Sequence, residues 1–132
     1  MINEFFECEI LRASRARLLQ LIEKSNYEIL FKIPEGFNNN ILWQIGHCIT
    51  SQQSHMYMRS GLTMYMSKEF EESFKNGSSP ASWKITPDVN EVKHLLIGFQ
   101  VKNYVQALQA ANYHEADHSG TIFSYLKRLL KE

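Results

Sequence analysis

Apolar positions along the chain recur at helical rather than strand spacing, and the breakers that interrupt them are few and grouped. Pro34-Glu35-Gly36, Asn76-Gly77-Ser78-Ser79-Pro80 and Thr86-Pro87-Asp88 separate long stretches without proline, and no run of alternating β-branched residues supports a strand. A first helix is expected over about residues 2–25, with Ile2, Phe5, Phe6, Ala13, Ala16 and Leu19 on or near one face. A second begins after Asn38-Asn39-Asn40, whose side chains can cap free backbone N–H groups, and runs to about Arg59, ending near Gly61. A third starts at Thr86-Pro87-Asp88, where a capping Thr precedes Pro at the first helical position, and reaches at least Leu96. The last covers roughly residues 102–130 and closes with Lys127, Arg128 and Lys131, cations that suit a helix C-terminus. Four helices of this size predict an all-α, four-helix bundle. The link from helix 2 to helix 3 is long, contains a short helix over residues 67–75, and can cross over along the bundle.

Composition narrows this picture without changing it. At 132 residues the chain is expected to form a single domain, residues 1–132. Its 44% apolar content suits a folded soluble protein. Lys plus Arg balance Asp plus Glu at 14 each, with no basic run, so neither nucleic acid nor an anionic membrane is an expected partner. No transmembrane stretch or signal peptide is evident. Cys8 and Cys48 make no disulfide framework, and a reducing cytoplasm is the expected compartment.

The strongest chemical signal is His114-Glu115-Ala116-Asp117-His118. Residues at i and i+4 stack on one helix face, so two imidazoles at this spacing can hold one metal ion. His118 falls within the apolar stripe of Val105, Leu108, Ala111, Ile122 and Leu129, which turns the pair towards the bundle interior. On spacing alone, a hydrogen-bonded core pair or a surface pair stays open. The same residues spell H-E-x-x-H, with Glu115 as a general base. The extended form of that signature needs Gly at position 121 and His at 124, where Thr121 and Ser124 stand instead.

On the second helix Trp43, Gln44, Thr50, Ser51 and Ser54 lie on the side of His47, while Ile41, Ile45, Cys48, Ile49 and Met56 form an apolar side. A polar but uncharged face is unusual on a solvated helix and fits the wall of a small pocket or a subunit interface. The pocket residues expected are Trp43, Gln44, Thr50 and Ser51. His47 gains weight as a ligand from the pair on helix 4, since bundles build metal sites from facing helices. His55 lies well round the helix from His47 and His94 reads as an ordinary helix-3 residue; Cys48 reads as a small core residue.

The segment Phe37-Asn38-Asn39-Asn40-Ile41-Leu42-Trp43-Gln44-Ile45-Gly46-His47 resembles the start of helix 2 in the DinB-like (damage-inducible protein) superfamily. Tyr113-His114-Glu115-Ala116-Asp117-His118-Ser119-Gly120-Thr121-Ile122 is similar to that family's helix-4 motif, in which H-x-x-x-H is followed by Gly and an apolar residue, and Phe70 through Pro80 resembles its helix 2–3 link. The resemblance implies a four-helix bundle with the long crossover, often a homodimer, and a metal site of His47, His114 and His118. Relatives with assigned activities include thiol-dependent S-transferases using bacillithiol or mycothiol, and a few isomerases and hydrolases. One departure stands out. Leu95-Leu96-Ile97-Gly98-Phe99-Gln100 runs almost directly into Val101-Lys102-Asn103-Tyr104, where the family carries a longer stretch, which leaves either a truncated third helix or a loop missing from the numbered chain.

The expectation is thus a metal-dependent enzyme acting on a small molecule. A divalent ion, Zn²⁺ or Ni²⁺, would sit on three imidazoles, with Glu115 or Asp117 orienting a ligand ring and a low-molecular-weight thiol as cosubstrate. The competing expectation is a non-catalytic, dimeric helical module for binding or stress response.

Overall fold

The computed structural model describes residues 4–56, 66–97 and 105–131, and every regular element among them is helical. Six α-helices follow one another: α1 Glu4–Lys24, α2 Tyr27–Phe31, α3 Ile41–Met56, α4 Lys68–Phe74, α5 Val89–Ile97 and α6 Val105–Lys131, with a 3-10 turn at Pro80–Ser82 between α4 and α5. None of them is long and apolar enough to cross a membrane.

The face that α1 buries differs from the expected one. Leu11, Arg15, Leu18, Leu21 and Ile22 point inward, whereas Ala13 and Ala16 are exposed and Leu19 is half-buried. An arginine in the middle of the inward stripe disguises it, and small alanines cost little in water. Ile2 and the side chains of Phe5 and Phe6 lie outside the described residues. The chain then makes α2, a short helix the apolar pattern does not announce, started by Asn26, whose side chain accepts a bond from Ile29 N at 2.9 Å. Gly36 takes a positive φ of 86° and turns the chain towards α3, with Phe37 N bonded to Pro34 O at 3.0 Å.

The asparagine cap expected for the second long helix is Asn40. Its Oδ1 accepts from Trp43 N at 2.8 Å, while its Nδ2 donates to Phe31 O at 3.0 Å and ties the start of α3 to α2. Residues 40–50 are all buried, so α3 is a central helix rather than a surface one. Its expected end at Arg59 and Gly61 lies outside the described residues. The short helix expected in the link is α4, capped by the Ser67 hydroxyl on Phe70 N at 3.1 Å and anchored by buried Phe70 and Phe74. The next helix starts later than its Thr-Pro signal. Asp88 is the cap of α5: its carboxylate accepts from Asn90 N at 2.9 Å and its carbonyl from Val92 N at 3.2 Å, leaving Thr86 and Pro87 ahead of the helix. A carboxylate is the stronger acceptor for a helix start, which explains why Asp88 displaces Thr86. Lys102 lies outside the described residues, as do the side chains of Val105, Leu108 and Ala111; farther along α6, Ile122, Tyr125 and Leu129 are buried.

α3 packs against α2, α4, α5 and α6, and α1 packs against α5 and α6. One apolar cluster joins them, including Leu18, Leu30, Ile41, Leu42, Ile45, Ile49, Phe74, Val92, Leu96 and Ile122. Each such side chain contributes roughly 1.5–3 kcal/mol when fully buried. Within this apolar interior lies the ion pair of Arg15 and Glu115. Arg15 meets Glu115 through two bonds, Nε to Oε1 at 3.1 Å and Nη2 to Oε2 at 2.8 Å, and Nη1 donates to Leu96 O at 3.0 Å, so one guanidinium links α1, α5 and α6.

Candidate metal centre

α3 and α6 pack face to face, and that contact brings together residues far apart in sequence. His47 is buried on α3, while His114 and His118 are half-buried one turn apart on α6. One ligand atom from each of the three lies within 4.8 Å of the others, close enough for a single ion. The ring centroids stand 5.3 Å apart for His47–His114, 4.9 Å for His47–His118 and 4.3 Å for His114–His118.

Hydrogen bonds fix the tautomer of two rings. The Phe74 carbonyl lies 2.9 Å from His47 Nδ1 and can only accept, so Nδ1 carries the hydrogen and Nε2 presents a lone pair. Gln44 does the same for His118. Its amide nitrogen donates to Asn39 Oδ1 at 3.1 Å, which leaves Oε1 facing His118 Nδ1. Asn39 Oδ1 is held in turn by the Tyr125 hydroxyl at 2.8 Å. His118 Nε2 then faces His114 Nε2 at 3.0 Å. Two bare ring nitrogens that close repel, unless one carries a proton or a cation lies between them. Two imidazoles on a tetrahedral ion with bonds of about 2.0–2.1 Å stand about 3.4 Å apart, so little movement is needed to hold one. The donor set therefore fits a divalent metal, and the outer partners orient its ligands as partners of metal-bound histidines usually do.

The electrostatics agree. Burial lowers the pKa of His47, opposed by the Phe74 carbonyl. Burial, followed by the neighbouring His114 and His47 rings, pushes His118 down to about 4, with Asp117 opposing. Both rings are neutral at pH 7, the state that binds metal.

The expected pocket residues fall into place unequally. Trp43 stacks on His47, with ring centroids 4.7 Å apart and planes within 8°, and its Nε1 donates to Ser78 Oγ at 3.0 Å. Ser51 Oγ lies 3.4 Å from His47 Nε2, and Gln44 holds His118. Thr50 is buried, its hydroxyl without a hydrogen-bond partner among the described residues. Asp117 is exposed beside His118. Glu115 is not brought to the imidazoles: both its oxygens are taken by Arg15, because one step along a helix turns a side chain by about 100°. Cys48 is buried and points into the core, as expected; burial, reinforced by the Glu115 charge, pushes its thiol pKa up. His94 is an exposed α5 residue, and the side chain of His55 lies outside the described residues.

Asn39, Tyr125 and Phe74 also contribute to this site, although no motif in the sequence marks them. Tyr125 lies two turns after His118 on the same α6 face, a spacing that could have found it. The Phe74 contribution is a backbone carbonyl, which no side-chain pattern reports.

No curated protein matches the chain. A family model described as the DinB superfamily matches residues 10–100. That span includes α3 with His47 and stops short of His114 and His118. It takes in more than half of the sequence, and with it the chain belongs to the DinB superfamily.

Proposed function

We propose that this protein binds one divalent cation, Zn²⁺ or Ni²⁺, through Nε2 of His47, His114 and His118, and works as a metal-dependent enzyme on a small-molecule substrate. The observation that carries the reading is the convergence of three imidazoles within 4.8 Å, two of them set by Phe74 O and Gln44 Oε1 with a bare Nε2. Three neutral imidazoles leave coordination positions open, so the bound ion would lower the pKa of a water or thiol and polarise an electrophile. The reaction proposed is S-transfer from a low-molecular-weight thiol: sulfur bonds to an electrophilic carbon, the leaving group departs with its electrons, and the thiol proton passes to base. Buried Cys48, with its raised pKa, is poorly suited to supply that sulfur, which favours an external thiol.

The fold reading that accompanies this is one domain over residues 1–132, a four-helix bundle of α1, α3, α5 and α6 in which the segment between α3 and α5 crosses over. It is supported by the contacts of α1 and α3 with the same two helices. The protein is proposed to act as a homodimer in the cytoplasm.

Plasma mass spectrometry of untagged protein tests the site, wild type beside His47→Ala and His118→Ala. About one equivalent of metal in wild type, lost in both variants, supports a shared site and leads to assays of thiol consumption with electrophilic substrates. Metal content indifferent to His47→Ala sinks the reading.

A further inference from the structure

The last turn of a helix leaves carbonyls without intrahelical partners. At the end of α4 these are taken by side chains from elsewhere. Ser73 O accepts from Trp83 Nε1 at 2.9 Å, and the single hydroxyl hydrogen of Ser78 is shared between Lys75 O at 2.7 Å and Ser73 O at 3.1 Å. Phe74 O, between them, accepts from His47 Nδ1 at 2.9 Å. The same segment reaches His47 a second way, through Ser78 Oγ on the indole that stacks on the imidazole.

Gly46 makes the approach possible. It directly precedes His47 in α3, and a Cβ added there would fall well inside van der Waals contact of the Phe74 ring. Glycine is less favourable than alanine inside a helix, so helix propensity gives no reason for it. The close passage of α4 does.

We infer that Gly46 and Phe74 are positioning residues of the metal centre: the space left by the missing side chain at Gly46 lets the Phe74 carbonyl reach His47, which fixes that ring with Nε2 bare and so sets the affinity for the cation. This rests on the three-histidine reading. The segment between α3 and α5 thereby controls a ligand that it does not itself supply.

The test uses the full chain and two readouts. In metal-free protein, nitrogen-15 NMR of the histidine rings reports which nitrogen is protonated. Wild type should show His47 protonated on Nδ1, and Gly46→Ala should show a mixture of tautomers. Affinity for Zn²⁺ alone, measured by competition with a chromophoric chelator, should fall about 10–100-fold in Gly46→Ala. Phe74→Ala placed in the Gly46→Ala background makes room for the added methyl and keeps the carbonyl, so it should recover most of that loss. Wild-type His47 protonated on Nε2 overturns the inference without any variant. A folded Gly46→Ala protein with unchanged tautomer and Zn²⁺ affinity overturns it too. Should wild type bind no Zn²⁺, the three-histidine reading falls, and the tautomer comparison still decides whether Gly46 and Phe74 position His47.

Discussion

Arg15 and Glu115, 100 positions apart in the chain, meet as a two-pronged ion pair with each side chain only 1% exposed. Glu115 directly follows His114, so turning this carboxylate towards α1 leaves the neighbouring imidazoles turned towards α3. Removing one partner strands a buried charge, which costs about 3–5 kcal/mol, whereas replacing both with apolar groups of similar volume is near neutral or better. Arg15→Met and Glu115→Leu should each lower the urea midpoint sharply, and the double variant should regain most of it. Equal, additive losses would show that the charges are not coupled.

Gln44 holds His118 as Phe74 holds His47. Gln44→Leu removes the acceptor for His118 Nδ1–H while keeping an apolar side chain of similar length. Metal affinity should fall about 10–100-fold. Gln44→Glu keeps an acceptor for His118 but loses the amide donor to Asn39 Oδ1, so it should bind more tightly than Gln44→Leu. Chelator competition on the two variants checks the contrast.

The pH dependence of the metal-free protein follows from the two lowered histidines. In the unfolded chain both rings protonate near 6.5, while in the fold His47 resists and His118 resists down to about 4. The unfolded state therefore binds more protons below about pH 6.5, and stability falls as pH drops through that window. Above about pH 7 neither ring contributes a slope. Thermal melts of chelator-treated protein from pH 7.5 to 5 should show a falling Tm, flattened in the His47→Ala/His118→Ala double variant. A Tm rising on acidification would mean that the rings are charged in the fold.

Cys48 is fully buried, with its thiol pKa raised. Native protein should react at this position with an aromatic disulfide reagent orders of magnitude more slowly than protein in denaturant. The measurement is peptide mapping after a timed pulse, which separates Cys48 from Cys8. Rapid native labelling of Cys48 would show that α3 opens readily.

The three imidazoles were legible because each has its own local signal: i, i+4 spacing for His114 and His118, and an uncharged polar face for His47. The partners that set them were not. A buried arginine reads as the edge of an apolar face, so Arg15 drew the expected stripe of α1 towards Ala13 and Ala16. Adjacency to the histidines put Glu115 at the site, though helix geometry sends it to α1. A backbone carbonyl has no residue signature, and Gly46 is the one trace that Phe74 O left in the sequence. The helix order was legible from breakers and caps, while α2 was too short to show a period.

The division of the site between α3 and α6 also bears on when an ion can be taken up. His47 comes early in the chain and its two companions much later, on a helix whose rotation depends on Arg15 from the start and on Leu96 O from the middle. On the proposed reading, a nascent molecule lacking α6 offers one imidazole of the three and a half-folded one at most the α6 pair, and neither matches the complete site. Loading is then the closing event of maturation, and the fraction of molecules carrying metal reports the fraction that have finished folding.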